Sequence, residues 1–374
     1  MFIKQLSLVQ FRNYNEEQWP FHPSINILTG LNGMGKTNVL EAIYFLCMGK
    51  GYFSSLDKYS VKQSQSFFRI AGIVENDDKQ ETKIVIKYKE GGRKEIEING
   101  AALEKLSDHV GKVPCVLFSP EDVTLLLDTS EARRNFLNNT LVQYDADYLK
   151  AILLYNKLLK SRNAYLKQMS YLKSYDEQYL ESLEEQMALP AAVIFEKRKE
   201  LVLTLNGLFE KTYALISGEH ENCSVTYQSQ LFDKNILQAW KESRNTDKIL
   251  SRTGFGIHKD DILLWMNEKP IKHYGSQGQL KSFVLSLKMA QYHLLKTIKN
   301  TKPIIMLDDI FDKLDNERVR HLFDVLSTDE FGQVFITDTD QNRVPEIIGQ
   351  LSSGGKQFTI LEGTIQNTTV YEPA

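Results

Sequence analysis

Gly30, Gly35, Lys36 and Thr37 stand at the spacing G-x-x-x-x-G-K-[ST], with Leu31, Asn32, Gly33 and Met34 inside the run and Asn38 after it. Glycines tolerate positive φ, so such a loop lets successive backbone N–H groups converge on an anion. Lys36 adds a point charge for β- and γ-phosphates, and the Thr37 hydroxyl adds a ligand for Mg2+. This chemistry is the binding of a nucleotide's phosphates, with Lys36 also placed to act on the reacting phosphate. A second candidate is Pro303-Ile304-Ile305-Met306-Leu307-Asp308-Asp309, an apolar run ending in two carboxylates. There Asp308 would hold Mg2+ and Asp309 would orient or deprotonate the attacking water. A core strand of a parallel sheet ending in a turn has the same look. A third is Gly275-Ser276-Gln277-Gly278-Gln279, which exposes N–H groups and a hydroxyl where a helix begins. An ordinary Ser-capped helix start shares that pattern. Arg12 and Asn13 reach the nucleotide if the strand before them lies beside the P-loop strand, and a solvated turn fits them equally.

These residues need elements to position them. The apolar run Ile25–Thr29 reads as a strand entering the loop, and Asn38 to about Met48 as a helix apolar on several faces, hence buried against a sheet. Residues 2–9 and 18–28 alternate as strands, and 67–98 read as a β-meander with turns at 76–78, 90–93 and Asn99-Gly100. Val113–Phe118 is another strand, followed by the cap Ser119-Pro120-Glu121-Asp122. From 131 to about 215 the character is helical. Tyr148, Ile152, Tyr155, Leu159, Leu166 and Met169 keep a heptad spacing that Arg162 interrupts, and two or three helices packed as a short antiparallel arm fit it. Lys157, Lys160, Arg162 and Lys167 give the first helix a basic side, and Arg133-Arg134 is a better candidate for an anion. Cys223–Gln228 is a strand, 280–298 a helix, and Gln333–Thr337 the last clear core strand, ending in Asp338-Thr339-Asp340. The expected division is 1–122 and 251–374 as two parts of one head, with 123–250 as the inserted arm.

Composition narrows the classes. With 374 residues, 42% hydrophobic and 25% charged, the chain is an ordinary globular protein large enough for two structural units. No apolar run approaches a membrane span, the start of the chain reads as a strand rather than a leader, and three scattered cysteines offer no C-x-x-C pair. A cytoplasmic location follows. The net charge of −3 does not advertise nucleic acid, so DNA binding must rest on a local patch or on resemblance.

The order Gly30–Thr37, Ser276–Gln279, Asp308-Asp309 resembles that of the ABC-type ATPases. The flanks narrow it. Leu6-x-Leu8 with Phe11-Arg12-Asn13-Tyr14, Ser119-Pro120-Glu121-Asp122, Arg133-Arg134-x-Phe136-Leu137, Gly256-x-His258-Lys259-Asp260-Asp261 and Leu307–Asp315 together resemble the RecF family of bacterial recombination mediators, whose head is similar to that of SMC proteins. Asp128-Thr129-Ser130, Lys259 and Leu280 depart from the usual pattern. The resemblance implies an α/β P-loop NTPase of the ABC/SMC-head type with an inserted helical arm. It also implies a homodimer formed with ATP and Mg2+, in which Ser276–Gln279 of one protomer meets the γ-phosphate on the other. Such a dimer acts on DNA at gaps or duplex–single-strand junctions, with RecR as partner and RecO and RecA in the pathway, in repair, replication and the SOS response. Asp309, a methylene shorter than the Glu of most ABC ATPases, implies weak, DNA-stimulated hydrolysis. Competing classes are a transporter's ATPase subunit, an SMC-like tether, a P-loop nuclease fusion and a nucleotide switch without DNA contact.

Overall fold

The computed structural model describes residues 1–54, 56–172, 175–217, 221–309, 330–340 and 354–372. Two compact units emerge, one from Met1–Asp122 with Gln291–Ala374 and one from Val123–Ala290. The first opens with β1 (Phe2–Phe11), β2 (Tyr14–Pro20), β3 (Ile25–Thr29), α1 (Lys36–Met48), β4 (Phe67–Glu75), β5 (Glu81–Lys89), β6 (Glu95–Ile98), β7 (Ala101–Ala102) and β8 (Cys115–Phe118). The second holds α2 (Thr124–Leu127), α3 (Ser130–Leu141), α4 (Ala146–Leu172), α5 (Glu177–Ser217), β9 (Cys223–Gln228), α6 (Ile236–Leu250), β10 (Asp261–Met266), β11 (Lys269–Pro270), α7 (Ile271–Tyr274) and most of α8 (Gln277–Lys299). The chain then returns to the first unit with β12 (Ile304–Leu307), β13 (Val334–Asp338), β14 (Gly355–Leu361) and β15 (Thr364–Tyr371). The stretch 310–315, the latter part of the run Leu307–Asp315, lies outside the described residues.

Two sheets build the first unit. One is antiparallel, in the order β2-β1-β4-β5-β6-β7, and contains the meander. The other runs β15-β14-β3-β13-β12-β8, parallel except for β15. Its strands β3, β8, β12 and β13 are buried at every residue, which is why they read as unbroken apolar runs. Helix α1 touches β1, β4 and β5 of the first sheet and β8 and β13 of the second. It is buried from Val39 through Met48, as a helix apolar on several faces must be. Beyond the strand read as the last of the core, β14 pairs in parallel with β3 on the side away from β13. Lys356 and Gln357 hid it, and each is bound: Lys356 Nζ donates to the Pro20 carbonyl (2.7 Å) and Gln357 Nε2 to Thr29 Oγ1 (3.1 Å).

In the second unit α4 and α5 pack together, and α5 runs unbroken through Pro190 for 41 residues, about 60 Å. The arm therefore has two long helices where two or three short ones were expected. Arg162 does not lie on a basic face. It is fully buried, and it donates to Glu184 of α5, Asp247 of α6 and Thr253, each at 2.8 Å. Lys157, Lys160 and Lys167 of that helix are exposed. Arg133, proposed for an anion, is bidentate to Asp261 (2.6 and 2.9 Å), and Arg134 donates to Ser130 Oγ (2.7 Å) and the Asp260 carbonyl (2.8 Å). The expected boundary at 250/251 lies at 290/291 instead, because β10 pairs along its length with β9. The stretch 251–290, Ser276–Gln279 included, thus packs with the helical unit. Among the described residues no helix is long and apolar enough to cross a membrane.

His258 sits inside this unit. Its Nε2 donates to the Thr253 carbonyl (3.1 Å), and in the neutral ring its Nδ1 accepts from Tyr155 OH (2.9 Å). Burial, with Lys259, Arg134 and Arg162 nearby, lowers its pKa to about 4. A depressed histidine contributes stability that is present above the ordinary pKa of 6.5 and is lost as pH falls toward 4, since the unfolded chain takes the proton first. Chemical denaturation at pH 7.5 and pH 5 should therefore show wild type losing about 2 kcal/mol more stability than His258→Gln over that interval. Equal losses would mean that His258 ionises as it does in water.

Candidate nucleotide site

β3 ends at Thr29 and α1 begins at Lys36, so the glycine-rich loop is a strand-to-helix turn. Gly30, Gly33 and Gly35 all hold positive φ. At Gly35 a side chain is excluded twice over, since a Cβ would lie 2.6 Å from Asn13 Nδ2 and 2.8 Å from Tyr14 OH. Lys36 Nζ donates to the carbonyls of Gly30 (2.7 Å) and Leu31 (3.2 Å). Asn13 Nδ2 donates to the Met34 carbonyl (3.0 Å), Asn38 Nδ2 to Asn13 Oδ1 (2.8 Å), and Tyr14 OH to the Gly35 carbonyl (3.0 Å). Asn13 therefore does meet the loop, because β1 and β2 turn beside it. Arg12 does not. Its guanidinium donates to the Tyr59 carbonyl (2.7 Å) and to Glu41 (3.3 Å), one helical turn past Thr37.

At the carboxyl ends of the parallel strands, the Thr37 hydroxyl donates to Asp308 Oδ1 (2.9 Å). The Thr337 hydroxyl, on the neighbouring strand, donates to the same oxygen (2.9 Å) and accepts the Asp309 N–H (2.8 Å). Burial pushes the Asp308 carboxyl up to about 6, against the pull of the two hydroxyls, and the charge of Asp309 adds to the rise. Asp309 has φ +42, a region that Asp tolerates better than most residues. With the loop from Asn32 to Asn38 it lines an open pocket of about 150 Å³. Among the described residues no group of three or more His, Cys, Asp or Glu could hold a metal. A hydroxyl and a carboxylate in contact are nevertheless the hard oxygen donors that Mg2+ takes alongside phosphate and water, so the Thr37–Asp308 pair fits that ion.

In the second unit, Ser276 and Gln279 close a reciprocal cap on α8. The Ser276 N–H donates to Gln279 Oε1 (2.7 Å), and the Gln279 N–H to Ser276 Oγ (3.3 Å). Gln279 Nε2 also donates to Glu221, whose other oxygen accepts from Tyr213 OH. Ser276 and Gln277 are exposed, with Gly278 half-buried beside them.

A glycine-rich loop whose Thr37 is bonded to the carboxylate ending a parallel strand two places along the sheet, beside an antiparallel sheet, defines a P-loop ATPase head of the ABC/SMC type. The Smc head domain from Pyrococcus furiosus shares that fold (TM-score 0.56, 16% identity, 99% of this chain and 96% of that one). Residues 2–351 match the family described as RecF/RecN/SMC N terminal domain. The DNA replication and repair protein RecF of Flavobacterium johnsoniae is 39% identical over 360 residues, which cover 96% of this chain and all of that protein. The RecF of Bacteroides fragilis is 37% identical over 98% of each. A solved structure of the recombination mediator protein RecF with ATP, in the RecFOR pathway, superposes with a TM-score of 0.88 at 28% identity, over 99% of this chain and 97% of that one. The chain belongs to the RecF family.

Tyr14, Thr337 and Glu221 were not singled out from sequence as site residues. Thr337 left a signal, a polar residue ending an apolar strand, whereas Glu221 left none because its partner is 58 positions away. Since Thr337 orients Asp308, the carboxylate that would hold Mg2+, Thr337→Val should raise the Mg2+ concentration needed for half-maximal ATP binding about tenfold. A fluorescent ATP analogue titrated with Mg2+ reads this, and an unchanged midpoint would reduce Thr337 to a strand filler.

Proposed function

We propose that the chain is an ATP-dependent DNA-binding protein of replication and repair. In this reading an ATP-driven homodimer clamps DNA at gaps or duplex–single-strand junctions and works in the cytoplasm with RecR, and with RecO, toward loading RecA. The observation that carries the proposal is the bonded set Thr37, Asp308, Thr337 and Asp309 beside the glycine loop, in a chain of the RecF family along nearly its whole length.

Each residue has a task. The loop amides take the phosphates. The Lys36 ammonium has three N–H groups, and its two carbonyl partners leave one for a phosphate oxygen. Thr37 and Asp308 would hold Mg2+, which supplies charge neutralisation at the β- and γ-phosphates. Asp309 accepts a proton from, or aligns, the attacking water, and its short side chain keeps turnover slow, so hydrolysis resets the dimer rather than driving metabolism. Asn13 stiffens the loop. Ser276 and Gly278 present the start of α8 to the γ-phosphate on the other protomer, and Gln277 and Gln279 flank them. With Arg133 and Arg162 ion-paired and Arg134 bonded to Ser130 and the Asp260 carbonyl, exposed lysines such as those of α4 are the counter-charges for a DNA backbone.

Two outcomes test this. Wild type should bind a gapped duplex only with ATP, more weakly at 200 mM than at 50 mM salt, and Lys36→Arg should lose that binding. DNA binding absent under every nucleotide condition would make the protein a nucleotide switch with protein partners. Separately, Asp309→Asn should lower steady-state ATP hydrolysis about 100-fold while keeping ATP-dependent DNA binding. Wild-type hydrolysis that is fast and indifferent to DNA would contradict the timer role.

A further inference from the structure

The last two strands do more than complete the parallel sheet. β14 and β15 are joined by a two-residue turn, Glu362-Gly363, with φ +48 and +75, the paired positive values of a type I′ hairpin. This turn lies against the glycine loop. The Gly363 N–H donates to the Met34 carbonyl (3.0 Å), the carbonyl that Asn13 Nδ2 also holds (3.0 Å). The Glu362 N–H reaches the Met34 sulfur (3.4 Å). The contact is close enough to exclude a side chain at 363, where a Cβ would lie 2.7 Å from the Asn13 carbonyl oxygen and 3.1 Å from its Nδ2.

A trans peptide is rigid and places its C=O and N–H on opposite edges. Two donors pulling the Met34 carbonyl outward therefore turn the Gly35 N–H the other way, toward the pocket that Gly35 lines. Gly35 alone would not hold that orientation, because glycine is the residue freest to flip. We infer that Gly363 is a positioning residue for phosphate binding: the turn at 362–363 and Asn13 together lock the Met34–Gly35 peptide with its N–H aimed at the nucleotide. The inference rests on the assignment of this pocket to ATP. It gives a purpose to a close approach that a hairpin turn does not need for its own stability.

The chain contains its own control. Asn99-Gly100, between β6 and β7, is another two-residue turn with both φ values positive (+51 and +84), and no atom lies within 4 Å of a Cβ added at Gly100. Gly363→Ala and Gly100→Ala thus carry comparable backbone strain, but only the first disturbs the loop. Binding of a fluorescent ATP analogue with Mg2+ should weaken about tenfold or more in Gly363→Ala and stay at the wild-type value in Gly100→Ala. Thermal midpoints measured in parallel report the strain that the two share. Wild-type affinity in a folded Gly363→Ala protein would overturn the inference, as would equal weakening in both variants. If Gly363→Ala does not fold, amide exchange in wild type decides. Nucleotide bound at the Gly35 N–H polarises the same peptide, so exchange at the Gly363 amide should slow about threefold with ATP, and an unchanged rate would overturn the assignment. A wild-type protein that does not bind the ATP analogue at all would instead remove the nucleotide assignment underneath.

Discussion

Asp308 is a carboxylate where water scarcely reaches, and much of the first unit is arranged around that fact. Two hydroxyls hold one of its oxygens, Thr37 from the first residues of α1 and Thr337 from the end of β13, while the residue itself directly follows β12. Three elements that are distant in sequence are thereby fixed at one point. The carboxyl remains raised despite both donors, because desolvation outweighs them. A buried acid in that condition is held in its charged form more easily when a cation stands beside it.

The loop itself was legible because its chemistry needs particular residue types at a fixed spacing, and the same holds for the two aspartates ending an apolar run. The parallel core was legible for a different reason: strands buried on both faces admit almost nothing but apolar residues. What failed were arguments from charge. Arg162 reads as part of a basic helix side and Arg133-Arg134 as a candidate for an anion, yet each is taken up by acids or carbonyls contributed from elsewhere in the chain. A sequence displays charges but not their partners. β14 was missed for a related reason, since Lys356 and Gln357 look like loop residues until the acceptors that satisfy them are known.

The helical unit shows a similar economy. Arg162 occupies a position in the α4 seam where a heptad would place an aliphatic residue, and it pairs there with Glu184 and Asp247, all three nearly or fully out of solvent. Such a triad adds little net stability over packed hydrocarbon, but it demands one geometry, because any slip leaves an ion without its partner. Arg198, likewise buried, ties α5 to Asp260, Tyr148, Asn138 and the Ile257 carbonyl. The two arginines tie the long helices to the rest of the unit at fixed points along their length.

The strand order of the parallel sheet also dictates a timetable. β3 is made early, yet both of its neighbours, β13 and β14, come from the far end of the chain, and Thr29 meets the Phe358 carbonyl across 329 positions. On the ribosome β3 must wait roughly 15–65 s for its partners at ordinary elongation rates. Meanwhile the meander β4–β7 and the helical unit, whose contacts are more local, are free to fold. The aggregation-prone interval is therefore that of a lone apolar strand, Ile25–Thr29, and the last-made hairpin both closes the sheet over it and completes the nucleotide loop.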